Sequence, residues 1–310
     1  MDVVLNITAP IFFLILLGFV GTKYQLLSKD ALPALSKFVL YFALPSVMIT
    51  KISSLDLRAV VDLSYMGVYA LGGLTAFFLT LVLVKGVLKE SWGNGAVSGI
   101  GAMMPNSSFI GFPILLQYLD NAPAQAFAMS LVVENILFLP VGLILIESLY
   151  HQESGVGRKV LLNVAKRIAS NPIILAVFTG VIMSLLGVRL PNFMGGGLEL
   201  LASAAAPCAL IVIGGSLVGV VIRGSKIRTA LVASVKLVIF PLVVFAGLQA
   251  FPTMPFELKV SALLFAAMPM FSIYPIIGET YGQRSFCAST LLITTVLSFF
   301  SISALLFILN

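Results

Sequence analysis

Ala102-Met103-Met104-Pro105-Asn106-Ser107-Ser108 and, 164 positions later, Ala266-Ala267-Met268-Pro269-Met270-Phe271-Ser272 decide the fold. Each stretch sits in the middle of a long apolar run. Proline removes a backbone donor and clashes with the preceding turn, so a helix breaks there. Inside lipid such a break is tolerated only where the freed backbone is buried in protein or faces a cavity. Two matching breaks in corresponding halves of a chain are the pattern expected where a membrane protein builds a ligand site near mid-bilayer.

The rest of the composition agrees with a bilayer. Of the 310 residues, 60% are hydrophobic and only 10% charged, and the mean hydropathy is +1.12. So few charges cannot cover the surface of a soluble domain, and an all-α integral membrane protein is predicted. The net charge of +6 comes from basic residues in short loops between apolar runs. That distribution reflects membrane orientation, so no nucleic-acid partner is expected. Cys208 and Cys287 lie in apolar segments without metal-ligand spacing and read as packing residues. No metal or other cofactor is expected. His151, in the most polar loop, reads as a solvated surface residue. The first apolar run has no preceding basic residue and no small-residue cleavage site, so it reads as a retained helix rather than a leader.

Ten apolar runs have membrane-spanning length: M1 4–21, M2 31–52, M3 63–84, M4 92–118, M5 124–149, M6 172–186, M7 198–222, M8 229–251, M9 257–281 and M10 286–309. Odd-numbered loops carry 12 basic residues (Lys23, Lys29, Lys85, Lys89, Arg158, Lys159, Lys166, Arg167, Arg223, Lys226, Arg228 and Arg284), whereas even-numbered loops carry 4 (Lys51, Arg58, Arg189 and Lys259). The positive-inside rule therefore puts odd loops in the cytoplasm and both termini outside it.

The two halves repeat. Pro10-Ile11 matches Pro172-Ile173, Gly18 matches Gly180 and Pro45 matches Pro207, all at an offset of 162, and Pro105 matches Pro269 at 164. Each coincidence falls at the same helix ordinal. Five helices per half is an odd number, so the second half enters the membrane from the opposite side. The expected architecture is a five-plus-five inverted repeat, with repeat one at 1–149, a cytoplasmic linker at 150–171 and repeat two at 172–310. M4 and M9, both broken, are expected to cross at similar depth.

Each second half-helix would present first-turn N–H groups and a partial positive charge at mid-membrane. Two such ends converging in a low-dielectric site make an anion receptor without formal charge. Asn106 adds an amide donor, and Ser107, Ser108 and Ser272 add hydroxyls; a carboxylate suits this set. The plainer alternative is that the prolines kink helices for packing and the serines bond their own backbone. The symmetry of the two breaks favours the ligand site.

The run Pro105-Asn106-Ser107-Ser108-Phe109-Ile110-Gly111-Phe112-Pro113 resembles the fourth-helix signature of the auxin efflux carrier family, which includes plant PIN-type auxin carriers and bacterial transporters of malonate and related acids. Lys37-Phe38-Val39-Leu40-Tyr41-Phe42-Ala43-Leu44-Pro45, Lys236-Leu237-Val238-Ile239-Phe240-Pro241 and Ala267-Met268-Pro269 resemble it more weakly. The resemblance extends over the whole chain in length, span count and linker position. It implies the fold of bile-acid symporters and sodium/proton antiporters, with a scaffold domain of M1, M2, M6 and M7 and a transport domain of M3–M5 and M8–M10. It also implies a homodimer, elevator-like movement and a multi-pass place in the plasma membrane, here a bacterial inner membrane. The family's carboxylate contacts carry over to Pro105, Asn106 and Pro269. With their neighbours Ser107, Ser108, Met270 and Ser272 these form the expected substrate site. The short central loop and Met270-Phe271 depart from the plant carriers, so auxin itself is not implied.

Glu134 and Asn135 lie near the centre of M5. A carboxylate at that depth should face the bundle interior, as a proton or sodium coupling site or as a hydrogen-bonded structural group. Lys37 and Lys236, two turns from the cytoplasmic ends of their helices, are expected to snorkel to water. Glu279 is expected to meet cytoplasmic water. Gly72-Gly73, Gly214-Gly215 and Gly219 should allow close helix contact.

These features point to a secondary transporter of small organic anions. There is no Walker A pattern, so ATP is not a direct energy source. An intramembrane enzyme would need a nucleophile–base or metal constellation that one loop histidine and two separated cysteines do not supply. A channel would need a more continuous polar lining. A receptor that binds a carboxylate on a transporter fold, without net transport, remains the alternative.

Overall fold

The computed structural model describes residues 2–53, 61–119, 123–150, 166, 170–188, 190–219 and 224–309, with side chains from residue 9 onward. Helices and the turns joining them account for these residues, with no strand among them. Among the described residues, six helices are long and apolar enough to cross a bilayer: Ala31–Ile52, Leu63–Gly86, Ala124–Tyr150, Asn192–Ser216, Lys226–Leu248 and Arg284–Leu309. Asp2–Lys23 and Pro172–Leu185 are apolar helices as well. Four shorter pieces complete the set: Trp92–Met103, Phe112–Tyr118, Phe256–Ala267 and Tyr274–Thr280. The longest of these has 12 residues, about 18 Å at 1.5 Å per residue. Each falls well short of a hydrocarbon core of about 30 Å.

Among the described residues, four π-helical turns occur: Val39–Ala43, Ser107–Gly111, Val133–Phe138 and Val235–Ile239. Each ends two residues before a proline, namely Pro45, Pro113, Pro140 and Pro241. A proline ring strikes the carbonyl one turn back and has no N–H to offer it. Widening the preceding turn relieves that conflict without ending the helix.

Asp2–Lys23 packs along Ala205–Ser216 at backbone distance. A Cβ on Gly18 would stand 2.1 Å from Ile211 O, and one on Gly214 would stand 1.8 Å from Ile15 O. Gly73 likewise admits the ring of Phe138. Close packing through Gly72-Gly73 and Gly214-Gly215 thus follows the sequence reading. Gly219 instead lies beyond its helix with φ +82°, a left-handed conformation suited to glycine. Pro172–Leu185 and Asn192–Ser203 pack on Leu44–Ile52, and Leu63–Gly86 packs on Trp92–Met103 and Phe240–Leu248.

The seventh apolar helix starts at Asn192, not 198. Its glycine run 195–197 is helical, with Gly196 and Gly197 exposed, behind a Pro191 that sets the first turn. Lys236 does not snorkel: it is fully buried. It lies ten residues into its helix, about 15 Å by helical rise, too deep for its stem to reach water. Lys37 is exposed, as expected for a snorkelling residue, and Glu279 is exposed and paired with Arg284 at 2.8 Å. Cys287 is buried and Cys208 half-buried. His151 and most of the 150–171 linker lie outside the described residues.

Candidate functional site

The two helix breaks meet, and their backbones satisfy each other. Asn106 N–H donates to Pro269 O at 2.8 Å, and Phe271 N–H donates to Met104 O at 3.1 Å. This reciprocal pair makes an antiparallel bridge between Pro105 and Met270. Backbone groups freed inside an apolar interior must find partners, and here each break supplies them to the other.

The Asn106 side chain, 4% exposed, locks both breaks. Its Nδ2 donates to Ser272 Oγ at 2.9 Å, and its Oδ1 accepts from Phe109 N–H at 3.3 Å. The latter caps the π turn that opens the second half of the broken helix. One Nδ2 hydrogen remains after these two bonds. The first-turn amides of Ser107 and Ser108 have no acceptor within their own helix.

Behind the break stands Glu134, 4% exposed. Its Oε1 accepts from Ser107 Oγ at 2.5 Å and from Tyr69 OH at 2.8 Å. Asn135 is spent differently, donating Nδ2 to Leu131 O at 2.9 Å. Lys236 Nζ donates to Ala266 O at 3.1 Å and lies 4.3 Å from the centre of the Phe240 ring. It caps the Ala266 carbonyl at the C-terminal end of Phe256–Ala267, where a cation is favoured. Glu134 and Lys236 both sit in π-helical turns.

A cavity of about 330 Å³ opens onto this cluster. Pro105, Asn106, Ser107, Ser108, Ser272, Glu134 and Asn135 line it. Pro269 and Met270 are buried behind the lining, where they form the backbone bridge. The lining also includes residues that the sequence reading does not assign to the site: Leu40 and Tyr41 of a π turn, and Asn171, Pro172 and Ile173 at a helix start. Phe271 and Ile273 add apolar surface. Pro172 was visible as a repeat marker, and Asn171 caps its helix by accepting from Ile173 N–H at 2.9 Å. Neither signal identified a cavity wall. The result is a half-polar chamber, with hydroxyl and amide donors on one side and an acid beneath them. Its volume suits a small molecule.

The family model described as "Membrane transport protein" matches residues 3–306. The chain is 25% identical to the "Putative malonate transporter" of Rhizobium meliloti (strain 1021), over 98% of this chain and 95% of that protein. It is 26% identical to an "Uncharacterized transporter" of Methanothermobacter thermautotrophicus, over 93% of each. It is also 26% identical to the "Lysosomal cholesterol signaling protein" of Mus musculus, over 74% of this chain and 28% of that longer protein.

Proposed function

Because the chain belongs to the membrane transport protein family, the auxin efflux carrier group that its Pro105–Pro113 motif resembles, we propose that it is a secondary transporter of small organic anions. The observation that carries this reading is the mutual backbone bridge of two broken helices beside a chamber of hydrogen-bond donors. A carboxylate in that chamber would accept from Ser108, from the remaining Asn106 hydrogen and from first-turn amides, with Ser272 alongside. Pro105, Pro269 and Met270 would serve as the frame.

In this reading the short helices are two halves each of M4 and M9, and ten spans form the inverted repeat. The chamber then lies between a scaffold of M1, M2, M6 and M7, which supplies Tyr41 and Pro172, and a transport domain of M3–M5 and M8–M10, which supplies Asn106, Glu134 and Ser272. A site divided between two bodies favours elevator-like alternating access, with homodimerisation through the scaffold. Glu134, beneath the anion site, is the candidate for proton or sodium coupling, with Asn135 beside it. The protein would sit in a bacterial inner membrane with both termini outside the cytoplasm. Malonate heads the substrate panel, since a relative bears that name.

The test is uptake of labelled mono- and dicarboxylates into proteoliposomes of the purified protein. Accumulation that collapses with the ion gradient supports transport. Saturable binding without accumulation supports a carboxylate receptor instead, the reading that a relative named as a signaling protein keeps open.

A further inference from the structure

A second cavity, of about 570 Å³, lies away from the crossover, between Lys226–Leu248 and Arg284–Leu309. Ala233, Ser234 and Leu237 line one side and Leu297 and Phe300 the other, with Lys226 at its end. The groove opens outward: Val238 is 49% exposed and Phe300 64% exposed. From Lys226 to Val238 is twelve residues, about 18 Å at 1.5 Å per residue. Half of a hydrocarbon core of about 30 Å is about 15 Å. The groove thus runs from a basic helix end to about mid-bilayer, the depth of one leaflet.

Its charge is equally specific. Arg228 is paired with Glu90 at 2.6 Å and stacks over Phe286, while Arg284 is paired with Glu279. Lys226 is exposed and takes part in neither pair. The sequence around it, Arg223-Gly224-Ser225-Lys226-Ile227-Arg228, contains no acid. The hydroxyls in the wall are largely spent within the helices: Thr229 meets Thr290 at 3.2 Å, and Ser301 donates to Ser298 O at 3.3 Å. An apolar trough closed at one end by a free cation selects an amphiphile with an acyl chain and an anionic head.

We propose that this groove holds one acyl chain of an anionic phospholipid, with its phosphate at Lys226. The inference rests on the chain's place in a membrane and not on the substrate reading. A basic residue near the surface strengthens anionic-lipid binding about fivefold.

The test uses the full chain purified in mild detergent, with bound lipid counted by native mass spectrometry after exposure to phosphatidylglycerol, phosphatidylcholine or inorganic phosphate. The parent should retain phosphatidylglycerol about fivefold better than phosphatidylcholine. Lys226→Gln should lose the preference but still bind. Ser234→Phe, which fills an exposed part of the trough, should lose the tight site for both lipids, while Ser234→Ala keeps it. The proposal is overturned if Lys226→Gln keeps the full preference or if Ser234→Phe binds like the parent. It is also overturned if inorganic phosphate displaces the lipid, which would mean a headgroup site without a chain. If Ser234→Phe separates a dimer while bound lipid is unchanged, the groove is a protein contact and the proposal fails.

Discussion

Ser107 donates its hydroxyl to Glu134 Oε1 at 2.5 Å, so the first residue of the π turn after the break and the buried acid share one hydrogen bond. Anything that reorients the break disturbs the carboxylate, and any change in the carboxylate's charge is felt at the break. Tyr69 fixes the same oxygen from the neighbouring helix at 2.8 Å. The acid is therefore held in place but still lines the chamber.

This predicts separable effects. Glu134→Gln preserves the shape and accepts the same two bonds through its carbonyl oxygen, so the protein should fold and bind anion. Its uptake should no longer respond to pH or sodium. Ser107→Ala leaves Glu134 with Tyr69 alone. It should keep coupling while losing about 1.5–3 kcal/mol of bonding to the acid when that acid is charged. Initial uptake rates across pH and sodium series check both. Unchanged ion dependence in Glu134→Gln would reduce Glu134 to a structural group.

Much of this site was legible in the sequence. Pro105 and Pro269 mark the two breaks that the structure shows, with Met104 and Met268 leaving helical geometry just before them. The meeting of Ser107 with Glu134 was not legible, since 27 residues and a helix reversal separate them. Lys236 departs from the snorkelling expectation because a π turn and the neighbouring Ala266 carbonyl hold it inside. The π turns do carry a sequence signal: a proline two residues beyond each one, in the interior of an apolar run. Leu40 and Tyr41 reach the chamber through such a turn.

Glycine packing gives a prediction independent of function. Gly214→Ala would place a methyl 1.8 Å from Ile15 O, a backbone atom that cannot swing aside. Overpacking of this kind costs about 1–3 kcal/mol, so the thermal midpoint in detergent should fall. Gly196→Ala, on an open helical face with nothing within 4 Å, should be neutral or stabilising by up to about 1 kcal/mol. Equal midpoints for the two variants would contradict the close Asp2–Lys23 and Ala205–Ser216 packing.

Orientation can be read by labelling. Ser28, exposed in the loop after the first helix, would lie on the basic, cytoplasmic side in the proposed ten-span reading, and exposed Asn192, at the start of its helix, on the opposite side. In a background without Cys208 and Cys287, Ser28→Cys and Asn192→Cys should react with an impermeant thiol reagent from opposite faces of the membrane. Reaction from one face would remove the odd number of spans between them, and the inverted repeat with it.

Asn106 provides the sharpest test of the anion site. Its Oδ1 caps Phe109 N–H and its Nδ2 reaches Ser272, leaving one amide hydrogen for a ligand. Asn106→Asp keeps the cap, and Ser272 can reverse its hydroxyl to donate, so the break should survive. The new carboxylate would nonetheless face the bound anion at a position only 4% exposed, where repulsion is poorly screened. Asn106→Ala removes the donor and the cap together. Losing one charge-assisted bond costs about 1.5–3 kcal/mol, or about ten- to hundredfold in affinity. The expected order of carboxylate affinity is parent, then Asn106→Ala, then Asn106→Asp, with intact folded protein in each case. If Asn106→Asp binds organic anions as tightly as the parent, the chamber is not an anion site, and the paired breaks serve only to bend and join two helices.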